Sequence, residues 1–100
     1  MQFDGFDWDD GNWPKCGKHG VSKEEIEAML LDRHTRVFPD PAHSTAEIRE
    51  IAIGVSPLRN RPMAVFFTRR MSDDLTFVRP FSARYVHDKE FRKYEQTRPR

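Results

Sequence analysis

The sequence predicts an α+β fold in a single domain: helices first, then an antiparallel β-sheet meander, then a closing helix. Three observations predict it. Ser22 to Asp32 opens with a helix-start signal and continues with apolar residues at helical spacing. Residues 47–83 hold three apolar stretches of strand length, separated by short turns. From His87 to Gln96 the chain is charged, with Phe91 and Tyr94 three apart on one helical face.

Each element has a local cause. Phe6 and Trp8 alternate with aspartates, the spacing of a short first strand. Asp9 or Asp10 can cap a helical turn over about Asn12 to Lys18, with Pro14 tolerated near its start. Gly20 then ends it as a left-handed cap. Ser22-Lys23-Glu24-Glu25 is a capping box, in which the Ser22 hydroxyl accepts from the Glu25 amide and the Glu25 side chain reaches back. Val21 and Ile26 occupy the two positions of a hydrophobic staple. Ile26, Met29 and Leu30 form the apolar face of a helix from Lys23 to about Asp32. Val37-Phe38 reads as a short strand stopped by Pro39-Asp40-Pro41. In the strand from Glu47 to Val55, Ile51, Ile53 and Val55 alternate with Glu50, Ala52 and Gly54. Ser56 to Pro62 is a turn, Met63 to Thr68 a central strand, Met71 to Asp74 a turn, and Leu75 to Ala83 the last strand. Pro80 within that strand predicts an edge or a bulge.

Composition narrows the function classes. A chain of 100 residues, 37% hydrophobic and 33% charged, is a single soluble domain, residues 1–100. No apolar run approaches the roughly 18 residues of a membrane span. Met1 to Asp10 carries four aspartates and no basic residue, the opposite of a secretory leader. The single cysteine, Cys16, permits no intrachain disulfide and fits a reducing, cytoplasmic setting. The net charge of +1 hides an asymmetry, −5 over residues 1–58 and +6 over residues 59–100. A basic half of this kind can neutralise phosphates.

The histidines and Cys16 do not form a metal-ligand pattern, and Gly17 and Gly20 lack the strand-then-helix setting of a phosphate loop. What remains fits phosphate chemistry without a metal. Cleaving RNA needs a base for the 2′-hydroxyl, an acid for the leaving 5′-oxygen, and cations for the phosphate in flight. Lys18-His19 lies between the first helical turn and the capped helix, and reads equally as a solvated helix end. Arg70 ends the central strand, where a surface arginine is the favoured plain reading. Arg79 shares parity with Leu75, Phe77, Phe81 and Ala83, and an arginine on an apolar face needs a partner or a cleft. Arg84 has the opposite parity, so a regular strand separates the two arginines, and only a bulge at Pro80 unites them. Glu90 and Tyr94, four apart, share a helix face. Asp40 and His43 lie in a proline-bounded loop, where functional residues concentrate.

Phe6-Asp7-Trp8-Asp9, then Lys18-His19-Gly20-Val21-Ser22 and a Glu-Glu helix, resemble the opening of the BrnT family of ribonuclease toxins. The resemblance continues in order through Pro39-Asp40-Pro41-Ala42-His43-Ser44, Glu47 and Arg49 with Ile51-Ala52-Ile53-Gly54, Phe67-Thr68-Arg69-Arg70, Val78-Arg79-Pro80-Phe81-Ser82-Ala83-Arg84, and Glu90 with Tyr94-Glu95. It departs at Glu50, where an aromatic is usual, and in a Trp8-to-Lys18 stretch one residue short. The resemblance implies a RelE-like fold with N-terminal helices, a twisted antiparallel sheet and a C-terminal helix. It implies a metal-independent endoribonuclease toxin, needing no cofactor, that inhibits translation. It also implies a ribbon-helix-helix antitoxin partner (BrnA-like), with operator DNA bound only through the complex. Carried over by residue, it makes His19 and Glu90 the acid/base candidates. Arg70, Arg79 and Arg84 become the phosphate and transition-state cations, with Lys18 and Tyr94 in support. A reading of another class stands beside it, a non-catalytic toxin-like module that tunes its antitoxin's hold on DNA.

Overall fold

The computed structural model describes residues 1–44 and 46–96. In chain order the elements are β1 (Gly5–Phe6), a 3-10 turn (Lys15–Gly17), α1 (Lys23–Leu31), β2 (Arg36–Pro39), a second 3-10 turn (Pro41–His43), β3 (Arg49–Val55), β4 (Pro62–Ser72), β5 (Leu75–Tyr85) and α2 (Asp88–Glu95). The His43 side chain lies outside the described structure.

The strands form one sheet in the order β1-β5-β4-β3-β2. Strands β2 to β5 make the antiparallel meander expected from their short connections. Strand β1 corrects the expectation of a wholly antiparallel sheet. It runs parallel to β5, with Gly5 opposite Phe77 and Phe6 opposite Val78. Residues 7–74 separate the two, so no tight turn dictates their relative direction. The expected N-terminal helices reduce to one α-helix and a single 3-10 turn. Pro14 has no amide proton to donate and Gly17 and Gly20 follow closely, so that stretch cannot propagate. Gly20 does take a positive φ, 90°, as a chain reversal ahead of α1 requires.

Helix α1 starts where its sequence says. The Ser22 hydroxyl accepts from the Glu25 amide at 3.1 Å, and Val21 and Ile26 are both buried. The other half of the capping box fails. The Glu25 carboxylate, 0% exposed, turns inward to accept from the Ser56 hydroxyl and, at 2.6 Å, from the Tyr85 hydroxyl. Two hydroxyl donors in a buried site hold a carboxylate better than one backbone amide that water can also reach. This cluster ties α1 to the β3–β4 turn and to the end of β5. At its other end α1 is closed by the Thr35 hydroxyl, which donates to the Met29 carbonyl at 2.6 Å.

The β4–β5 hairpin is longer than the sequence pattern implied. Only Asp73 and Asp74 form its turn, both with positive φ, 49° and 70°. That is the conformation whose twist matches paired strands, and aspartate tolerates it. Arg69, Arg70, Met71 and Ser72 therefore belong to β4.

The sheet has two covered faces. On one, Val65, Phe67, Val78 and Ala83 pack against Ile26, Met29 and Leu30 of α1 and against Cys16 and Val21. On the other, Phe38, Ile51, Ile53 and Ala64 pack with Phe66 against Phe91 and Tyr94 of α2. Helix α2 is short and covers one end of that face, beside Ala64 and Val86. Toward the far end of the same face lie Arg49, Thr68, Arg70 and Arg79, as the strand register requires.

Candidate functional site

The bulge in β5 builds this open face. Phe66 pairs with Ser82 and Phe67 with Pro80, so Phe81 is the extra residue. One inserted residue reverses the inward–outward alternation beyond it. Arg79 stands opposite Thr68 and Arg84 opposite Ala64, both even-numbered β4 positions on the α2 side. Arg70, another even position, joins them. The parity conflict between Arg79 and Arg84 is thus resolved, and Pro80 marks the spot. Its missing amide proton cannot bond along a regular ladder.

Each of these three arginines meets a carboxylate. Arg79 is only 16% exposed at its side chain. It forks onto Asp9 at 2.9 and 3.0 Å and reaches Asp7 at 3.3 Å. Those bonds hold the Asp9 carboxyl below the ordinary aspartate range, helped by the Gly11 amide that donates to it at 2.7 Å. Arg84 forks onto Glu90 at 2.9 and 3.2 Å. The pairing lowers the Glu90 pKa and raises that of Arg84, with Tyr94 adding to the latter. Arg70 pairs with Glu47 at 3.0 Å at an exposed position. Arg49, among the described residues, meets no carboxylate; its guanidinium lies over the Phe81 ring at 4.6 Å.

An N-terminal segment that wraps the β5 edge delivers Asp7 and Asp9. Asn12 pins it. This side chain is 1% exposed, and its amide donates to the Pro80 carbonyl at 2.8 Å and the Asp7 carbonyl at 2.9 Å. Its oxygen accepts from the Asp9 amide at 2.8 Å. Beyond the two residues of β1, Asn12 thus satisfies a β5 carbonyl that lacks a strand neighbour.

Of the residues singled out from sequence, Arg70, Arg79, Arg84, Glu90 and Tyr94 come together on the α2 side of the sheet. Glu90 and Tyr94 both project from α2, and Tyr94 lies half-buried with its ring 5.4 Å from that of Phe38. Lys18 and His19 are not brought there. They are exposed on the segment between buried Cys16 and Val21, which packs on the α1 side. Neither side chain has a hydrogen bond or ion pair to another described residue. Sequence reasoning missed Asn12, the roles of Asp7 and Asp9, and Arg49. The acidic opening beside a basic C-terminal half was the available signal for the aspartates. Glu50, singled out from sequence as a departure from the pattern the chain resembles, forks onto Arg69 at 2.6 and 3.1 Å.

Among the described residues no group of three or more His, Cys, Asp or Glu side chains could hold a metal ion. No described helix is long and apolar enough to cross a membrane. Chemically, the open face offers permanently charged forks, an ionised carboxylate within hydrogen-bond reach of one of them, and a phenol one helical turn away. A family model described as ribonuclease toxin, BrnT, of type II toxin-antitoxin system matches residues 8–90. Among curated proteins none matches the chain.

Proposed function

The chain belongs to the BrnT family of ribonuclease toxins of type II toxin–antitoxin systems, and from that premise we propose that it is an endoribonuclease cutting RNA on the open face of its sheet. The observation that carries this reading is the bulge at Phe81, which sets Arg79 and Arg84 on one face with Glu90 bonded to Arg84.

In the proposed reaction the Arg84 guanidinium holds the phosphate being cut and its developing charge, and Arg79 and Arg70, further along the hairpin, hold neighbouring phosphates of the strand. Glu90, kept ionised by Arg84, takes the 2′-hydroxyl proton. The 2′-oxygen attacks phosphorus, the bond to the 5′-oxygen breaks, and the products are a 2′,3′-cyclic phosphate and a 5′-hydroxyl. The leaving 5′-oxygen needs a proton. We assign that proton to Tyr94, which lies close enough to Arg84 to raise its pKa, in preference to His19, which with Lys18 lies on the other side of the sheet. No step uses a metal or cofactor.

A type II toxin works with an antitoxin, and we propose a ribbon-helix-helix protein for that role, with operator DNA bound only through the complex and the pair residing in the cytoplasm. Entry of RNA displaces Asp9 and Glu47 from their arginines, so affinity is modest and salt-dependent.

The test is cleavage of RNA in EDTA by the protein and by Arg84→Ala of equal folded content. Wild-type cutting with 2′,3′-cyclic phosphate ends, reduced at least about 100-fold in Arg84→Ala, is expected for loss of one charge-stabilising donor. Equal cutting by both proteins overturns the site; absence of cutting and of any growth defect on expression without antitoxin supports the binding-module reading instead.

A further inference from the structure

At the centre of the open face, aromatic rings and guanidiniums alternate. The Arg49 guanidinium covers Phe81 at 4.6 Å, the Phe81 and Phe66 rings lie 6.3 Å apart and tilted by 47°, and the Arg84 guanidinium stands 5.9 Å from the Phe66 ring. Arg49 comes from β3 and Phe81 from β5, so the Arg49 side chain crosses β4, a span of about 10 Å at two strand spacings. Both rings are half-buried. Phe81 exists as an outward residue only because it is the inserted residue of the bulge, and it lies outside the cluster beneath α2.

We infer that an unpaired nucleobase of the RNA stacks on the Phe81–Arg49 pair, between phosphates held by Arg79 and Arg84, so that this face takes single-stranded RNA. The inference rests on the ribonuclease reading above. Its physical basis is that bases stack on aromatic rings and on guanidinium planes, and only a base out of its duplex offers a free flat face. The spacing fits. Arg79 and Arg84 stand opposite Thr68 and Ala64, four residues apart on β4, about 13 Å at about 3.3 Å each. The Phe81 bulge falls within that interval. Arg49 is also the arginine of this face that, among the described residues, meets no carboxylate, so its stacking plane costs no ion pair to recruit. The three neighbouring arginines act on phosphate, which carries no sequence information, whereas a stacked base fixes the register of the strand.

The test uses a fluorescent single-stranded oligoribonucleotide, the same strand annealed to its complement, and single abasic substitutions along it. Binding is read by anisotropy with cleavage blocked by a 2′-deoxy substitution at the cut site. Phe81→Leu is expected to weaken single-strand binding about tenfold, the loss of one stacked base, and to abolish the penalty of an abasic residue at one position. Phe81→Tyr keeps the ring and is expected to bind like the wild type, which separates stacking from damage to the fold. Duplex binding as tight as single-strand binding overturns the inference, as does Phe81→Leu with unchanged affinity and an unchanged abasic profile. Weak binding by Phe81→Leu and Phe81→Tyr alike overturns it too. If Arg84→Ala loses binding while Phe81→Leu does not, the stacking site alone falls. If neither variant differs from wild type, the arginine face falls with it.

Discussion

Replacing Asn12 by alanine tests how the acidic N-terminal segment is held against the sheet. Asn12 is 1% exposed and makes three hydrogen bonds, at 2.8, 2.8 and 2.9 Å. Two go to main-chain carbonyls and one comes from a main-chain amide. A neutral hydrogen bond contributes about 1 kcal/mol net, and a buried carbonyl left unpaired costs about 1–3 kcal/mol. Pro80 carries such a carbonyl, since its bond to Asn12 is buried. Asn12→Ala should therefore destabilise the protein by about 3 kcal/mol. In a domain of this size that lowers the thermal midpoint by about 15 °C. Urea denaturation at pH 7 gives the free energy and calorimetry the midpoint. Asn12→Asp is the sharper variant. It keeps the acceptor for the Asp9 amide but sets an anionic oxygen against two carbonyl oxygens, so it should be at least as destabilising as alanine. A loss below about 1 kcal/mol for alanine, or an aspartate variant as stable as wild type, would refute the assignment of Asn12 as the clamp on the β5 edge.

Two further outcomes follow from the same geometry. The Glu90 carboxyl lies below its ordinary value of 4.5 because Arg84 bonds its ionised form. A group whose folded pKa is depressed contributes its stability above the unfolded value and loses it as pH falls through the folded value. Both the Arg84–Glu90 contribution and cleavage with Glu90 as base should thus persist as pH falls from neutral to the ordinary value of 4.5 and fade only below it; an acid limb near pH 6.5 in the rate profile would point to a histidine instead. In the buried cluster under the β3–β4 turn, Glu25→Ala leaves the Ser56 and Tyr85 hydroxyls without their acceptor. It should cost about 3 kcal/mol by urea denaturation, and Tyr85→Phe about 1.5 kcal/mol. A Glu25→Ala loss no larger than that of an exposed residue would return Glu25 to the role of a simple capping residue.

What could be read from the chain and what could not divide along one physical line. The Ser22 cap, the Val21–Ile26 staple, the apolar face of Ile26, Met29 and Leu30, and the alternation through Ile51 and Ile53 are set by residues within a few positions of one another. Periodicity and capping act at that range, so the elements and their order were legible. The motif string over residues 6–95 identified the family, and the model match over residues 8–90 agrees with it. Arg70, Arg79, Arg84, Glu90 and Tyr94 were recognisable as chemistry-bearing residue types. Their meeting on one face was not, because two residues of a strand share a face only through the register with the partner strand. The inserted Phe81 is defined by Phe66 and Phe67, some 15 positions earlier in the chain. Glu25 shows the same division. Its amide obeys the local cap, while its carboxylate answers to Ser56 and Tyr85, 31 and 60 positions away. The parallel docking of β1 on β5 and the grip of Asp7 and Asp9 on Arg79 are likewise contacts between the two ends of the sequence. Sequence by itself determined which elements form, because helices and strands are local solutions to hydrogen bonding and burial. Only the tertiary structure decided which charges face one another, because that depends on where the strands pair and where one strand carries an extra residue.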